Sequence, residues 1–151
     1  RIDHVMLVRD PARVIASYRR VVPTMTIAET GLPWQARLFA HIRSTRGAAP
    51  PVIDAADVAR DPEGTLRGLC AALALDWDPA MLHWQAGPHP QDGVWARHWY
   101  AATWASTGFA PPVAETEAAP PDVPFFAEAT ALYDGLRACS SVPIPPMPRS
   151  S

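Results

Sequence analysis

The sequence predicts an α/β fold, rich in helix and built round a short parallel sheet. Three observations predict it. Val5 to Val8 form a continuous apolar run, as a strand covered by helices on both faces does, whereas a half-exposed strand alternates. A strand signal is twice followed by a helix signal, first at Asp10-Pro11 and again at Asp61-Pro62-Glu63. Strand signals are nevertheless few beside the helix signals. Two parallel strands alone can neither bury both faces nor protect their edges, so the remaining strands are expected upstream of Arg1.

In chain order, Asp10 is placed to cap the first helix and Pro11 suits its first turn. Val14, Ile15, Tyr18 and Val21 or Val22 then recur at helical spacing until Pro23 stops the helix. A second helix is predicted from Pro33 to Arg46, with Trp34, Leu38, Phe39 and Ile42 inward and Gly47 at its end. Val52 to Asp54 read as the second strand. The helix opened by Asp61 carries Leu66, Leu69, Cys70 and Leu73, and a short one is expected from Asp78 to Trp84. After the turn-rich Gly87-Pro88-His89-Pro90-Gln91-Asp92-Gly93, a helix is predicted from Val94 to Ser106, with Trp95, Trp99 and Trp104 packed deep.

These readings divide the chain into an α/β part at residues 1–109, a Pro-rich linker at 110–124, a terminal helix at 125–138 and a frayed tail at 139–151. The terminal helix places Phe126, Ala129, Leu132, Tyr133 and Leu136 in register.

Composition narrows the function. The 151 residues are 48% hydrophobic, enough for a core, and the formal charge of −2 gives no global field for nucleic acid. Any anion site must be local. All thirteen cationic side chains are arginine. Cys70 and Cys139 lack metal-ligand spacing and read as reduced, packing thiols. With no apolar stretch of membrane-span length and no leader pattern, the sequence predicts a cytoplasmic location.

The stretch Val8-Arg9-Asp10-Pro11-Ala12-Arg13 ends a strand on an arginine at the position where open α/β sheets gather ligands. On the following helix Arg13, Ser17 and Arg20, at i, i+4 and i+7, share a face away from the sheet. Asp10 already compensates the positive end of that helix, so an anion there would be held by side chains. A guanidinium grips phosphate through paired hydrogen bonds and a serine hydroxyl adds a compact neutral donor. The plainer reading has Arg13 and Arg20 solvating the helix, Ser17 as packing, and Arg9 paired with Asp10 or Asp54.

The segment from Val5 to Val21 resembles the 3′-phosphate-binding strand and helix of the sulfotransferase family, in which an arginine ends the strand and a serine follows eight residues later; Arg9 and Ser17 have that spacing. The segment from Val52 to Leu75 is similar to the family's next strand, acidic turn and helix. Gln91 to Phe109 looks like the late loop and helix of bacterial sulfotransferase-like proteins. The resemblance implies a partial P-loop NTPase-like three-layer sandwich that binds PAPS (3′-phosphoadenosine 5′-phosphosulfate) without a metal and transfers its sulfuryl group to a hydroxyl or amine. The acceptor would be a small molecule or glycan. It further implies that Arg9 and Ser17 hold the 3′-phosphate, with His89 and Arg97 as basic candidates from the later loop, and that Trp95 borders the nucleotide.

The family's glycine-rich 5′-phosphosulfate loop and its catalytic base have no counterpart in the eight dispersed glycines or the residues before Val5. No catalytic residue is therefore assigned, and this chain is expected to be the carboxy-terminal part of such a protein, inactive by itself. Ala55 and Ala56 stand where the family often has a tyrosine for adenine. His4 falls at the wrong end of its strand for a base, and His83 and His98 read as packing partners of tryptophans. Two alternatives stay open. One is a degenerate relative that binds nucleotide or protein without turnover, and the other is part of a P-loop kinase.

Overall fold

The computed structural model describes residues 2–110 and 121–140. Two strands, β1 (Met6–Val8) and β2 (Val52–Asp54), pair in parallel, with Met6, Leu7 and Val8 opposite Val52, Ile53 and Asp54. The connection between them carries α1 (Pro11–Tyr18), a 3-10 turn (Ile27–Thr30) and α2 (Leu32–Arg46). After β2 come α3 (Ala55–Arg60), α4 (Pro62–Leu73), a second 3-10 turn (Pro79–Leu82), and two single turns, α5 (Ala96–Trp99) and α6 (Ala101–Trp104). The last helix is α7 (Phe126–Arg137).

Capping chemistry sets these boundaries. Asp10, Asp54, Asp61 and Asp78 each accept a hydrogen bond from a backbone N–H in the first turn that follows, satisfying donors that have no partner within the helix. Gly31 (φ 75°) ends the first 3-10 turn and enters α2, and Gly47 (φ 69°) ends α2, a backbone region that costs glycine little.

One core cluster joins Met6, Val8 and Val52 of the strands to Leu32, Phe39 and Ile42 of α2 and to Ala129, Tyr133 and Leu136 of α7. Burying each large apolar side chain contributes about 1.5 to 3 kcal/mol, so α7 is an integral wall of the sheet. Ser140, just past it, donates to the Val52 carbonyl at 2.8 Å. Gln35 of α2 donates to the Leu7 carbonyl at 3.2 Å, on the edge of β1 that β2 leaves unpaired.

Several expectations need correction. Leu7 is 54% exposed, so β1 is covered on one face and not on both; a run of apolar residues reports hydrophobicity and not which neighbours are present. Trp34 and Leu38 are exposed although Phe39 and Ile42 of the same helix are buried. Trp34 lies about 140° round the helix from Phe39, at 100° per residue. The Arg37 guanidinium shields its ring from 5.0 Å. The first helix ends at Tyr18, and the N–H groups of Val21 and Val22 both turn back to the Tyr18 carbonyl. Pro23 disfavours helical geometry at Val22, which keeps the helix from running on to it.

The helix predicted from Val94 to Ser106 is two single turns broken at Tyr100, and Trp95 (71% exposed) and Trp99 (42%) do not enter the core. Tryptophan content alone therefore misplaces this segment. Residues 111–120 of the linker and 141–151 of the tail lie outside the described residues.

Candidate functional site

The carboxyl ends of β1 and β2 lie side by side, because Val8 and Asp54 are register partners. Adjacent strands run about 4.8 Å apart, so Arg9 leaves β1 beside the capping acid of α3. Arg9 is exposed and, among the described residues, makes no hydrogen bond or ion pair. Ser17, half-buried near the end of α1, likewise commits its hydroxyl to no partner among the described residues. Both groups are available as donors.

Asp54 does not pair with Arg9. Its carboxylate, 3% exposed, accepts from the Ala56 N–H at 2.7 Å, from the Tyr133 hydroxyl and from Arg137. Asp57, one turn along α3 and 4% exposed, pairs with Arg60 at 2.8 Å and with Arg137 at 3.7 Å. A buried carboxylate without partners would be severely penalised, and here two helices supply the donors. Burial and the Asp54 carboxylate push the Tyr133 hydroxyl up to about 12. Burial pulls the Arg137 guanidinium down, yet its hydrogen bond to Tyr133 and the Asp54 charge more than offset this and leave it above its ordinary value.

Arg20 lies beyond α1, and its Nε folds back to the Ala16 carbonyl at 3.5 Å. It therefore does not share a helical face with Arg13 and Ser17. Trp99 packs against Tyr18 with ring centroids 5.7 Å apart, which sets α5 at the carboxyl end of α1. Ser17 precedes Tyr18, and Arg97 stands two residues before Trp99, exposed, with Nε donating to His98 at 3.0 Å.

His89 is exposed in the preceding loop and, among the described residues, bonds neither Arg9 nor Ser17; its backbone N–H donates to Asp92 at 2.8 Å. Asp92 also accepts from the Trp104 indole at 2.7 Å, and these two donors hold its carboxyl below the usual range. Trp84 closes the same loop, its N–H donating to Thr107 and its indole to Ser106. His4 lies elsewhere. With Asp3, Arg46, Pro50 and Leu73 it lines an open cleft of about 400 Å³ at the amino ends of the strands.

Residues 2–139 match the sequence pattern of the sulfotransferase domain family. The chain belongs to that family. It is similar to two curated proteins of Arabidopsis thaliana, branched-chain-amino-acid aminotransferase-like proteins 1 and 2, at 42% and 38% identity over 109 residues. Those matches take in 72% of this chain and 19% of each relative, so the chain spans about a fifth of their length. No solved structure matches significantly.

Membership of the sulfotransferase domain family supports a sulfotransferase-like function and is compatible with an α/β fold. Among the described residues no helix is long and apolar enough to cross a membrane, and no three His, Cys, Asp or Glu side chains gather as metal ligands do. In this sulfotransferase-family chain the sequence reading missed Tyr133, Arg137 and Asp92. The helical period marked Tyr133 as core, but no local pattern links it to Asp54, 79 residues earlier.

Proposed function

We propose that this chain forms the 3′-phosphate-binding part of a sulfotransferase that uses PAPS and passes its sulfuryl group to a hydroxyl or amine of a small-molecule or glycan acceptor. Arg9 supplies paired charged donors to the phosphate and Ser17 a neutral one, with Arg97 and His89 as further basic groups from the later loop. When bound, PAPS supplies the activated sulfuryl group; the residues of this chain bind and orient its nucleotide end.

One observation carries the reading. Arg9 is exposed and unpaired among the described residues, although a buried acid, Asp54, occupies the neighbouring strand end. The donor set also fits the ligand, since a guanidinium and a free hydroxyl suit the terminal oxygens of a phosphate monoester. Titration calorimetry with adenosine 3′,5′-bisphosphate and adenosine 5′-phosphate tests it. A clear preference for the bisphosphate is expected, and equal affinities would overturn the assignment of Arg9 and Ser17.

A further inference from the structure

The carboxyl end of β2 holds two buried acids, Asp54 and Asp57, next to the strand end from which Arg9 emerges. An anion-binding site beside two carboxylates is at odds with itself, because charges within about 10 Å interact strongly where water is excluded. Arg137 resolves the conflict. Among the described residues it is the one side chain that meets both acids, Asp54 through Nη1 and Asp57 through Nη2 at 3.7 Å. Arg60 meets Asp57 alone, and Tyr133 hydrogen-bonds Asp54 without bringing charge.

We infer that Arg137, from the far end of the chain, is a positioning residue for phosphate recognition: it neutralises the acids at the end of β2, so that Arg9 offers its full charge to a dianionic phosphate monoester. The inference rests on the phosphate-site reading above. It assigns Arg137 no contact with the ligand. Its effect on the ligand is a balance of charge at the strand end, and because Asp57 keeps Arg60 as a second cation, removing the Asp54 charge should undo the loss of Arg137.

The experiment measures the affinity ratio of adenosine 3′,5′-bisphosphate to adenosine 5′-phosphate, with thermal unfolding in parallel. Arg137→Gln should lower the ratio about tenfold, and Arg137→Lys should keep it near wild type. Asp54→Asn with Arg137→Gln should restore the ratio without restoring the unfolding temperature. Tyr133→Phe should lower the unfolding temperature and leave the ratio alone. Should Arg137→Gln fail to fold, Asp54→Asn by itself decides, because the freed Arg137 charge should raise the ratio about threefold. An unchanged ratio in folded Arg137→Gln, no recovery in the double variant, or no rise in Asp54→Asn would overturn the inference. Equal affinities in the unaltered protein would instead overturn the phosphate-site reading itself, and this inference with it.

Discussion

Val8 and Asp54 stand opposite each other where the two parallel strands end, yet the carboxylate of Asp54 turns to Tyr133 and Arg137 and leaves Arg9, the residue after β1, unpaired among the described residues. A structural ion pair between neighbouring strand ends would have been the simple arrangement. Its absence there leaves Arg9 available for the phosphate contact proposed for it.

Arg9→Ala should cost on the order of 2 to 4 kcal/mol of the preference for adenosine 3′,5′-bisphosphate, and Ser17→Ala about 1 kcal/mol, since a charged donor outweighs a neutral one. Calorimetry on both variants checks this. Neither change should shift the unfolding temperature by more than about a degree, because neither side chain holds a partner among the described residues.

Tyr133→Phe leaves Asp54 buried with one donor fewer, a change expected to destabilise by about 1 to 3 kcal/mol. Urea unfolding monitored by circular dichroism should show a lower midpoint with an unchanged slope. An unaltered midpoint would mean that Arg137 and the Ala56 N–H satisfy the carboxylate by themselves.

The same tyrosine gives alkaline sensitivity. Its pKa rises from 10.0 to about 12 in the folded chain, so the unfolded chain loses this proton first as pH increases. The contribution is fully present below pH 10 and lost between pH 10 and 12, amounting to roughly 2 to 3 kcal/mol. Unfolding midpoints across that window should fall less steeply in Tyr133→Phe than in the unaltered protein.

Asp92 responds at the other end of the scale. Hydrogen bonds from the His89 N–H and the Trp104 indole hold its carboxyl below its ordinary value of 3.8. Its contribution is therefore present above that value and lost as pH falls through the lowered one. Asp92→Ala should shift the Trp104 indole N–H resonance at neutral pH to where acid moves it in the unaltered protein. A resonance insensitive to both changes would refute the hydrogen bond.

Ala74 closes α4 at φ 54°, among the described residues the only non-glycine with a positive φ. A Cβ is penalised there, so Ala74→Gly should stabilise by about 0.5 to 1 kcal/mol, and raise the unfolding temperature by roughly 1 to 4 °C.

Local chemistry made much of the frame legible in advance. Asp10-Pro11 and Asp61-Pro62 announced α1 and α4, Gly47 closed α2, and the period of Ala129, Tyr133 and Leu136 marked the inner face of α7. What stayed hidden depended on distant partners. Hydrophobicity could not say that Leu7 would be half-exposed, or that Trp95 and Trp99 would lie at the surface while Ala96 was buried. α3 was also missed, because a six-residue helix offers too few turns for a period. At the candidate site, the position of Arg9 at a strand end was readable from its neighbours, whereas the engagement of Asp54 by Arg137 spans 83 residues and leaves no trace in the order of the chain.

That span sets a schedule for the nascent polypeptide. β1 and β2 can meet once synthesis has passed Asp54, but the donors that make its burial tolerable emerge only with Tyr133 and Arg137, 79 and 83 residues later. Until then the strand pair carries a carboxylate whose burial is satisfied only by the Ala56 N–H. A chain cut short before Tyr133 should therefore leave the Asp54 carboxylate short of two of its donors and the end of β2 less firmly held.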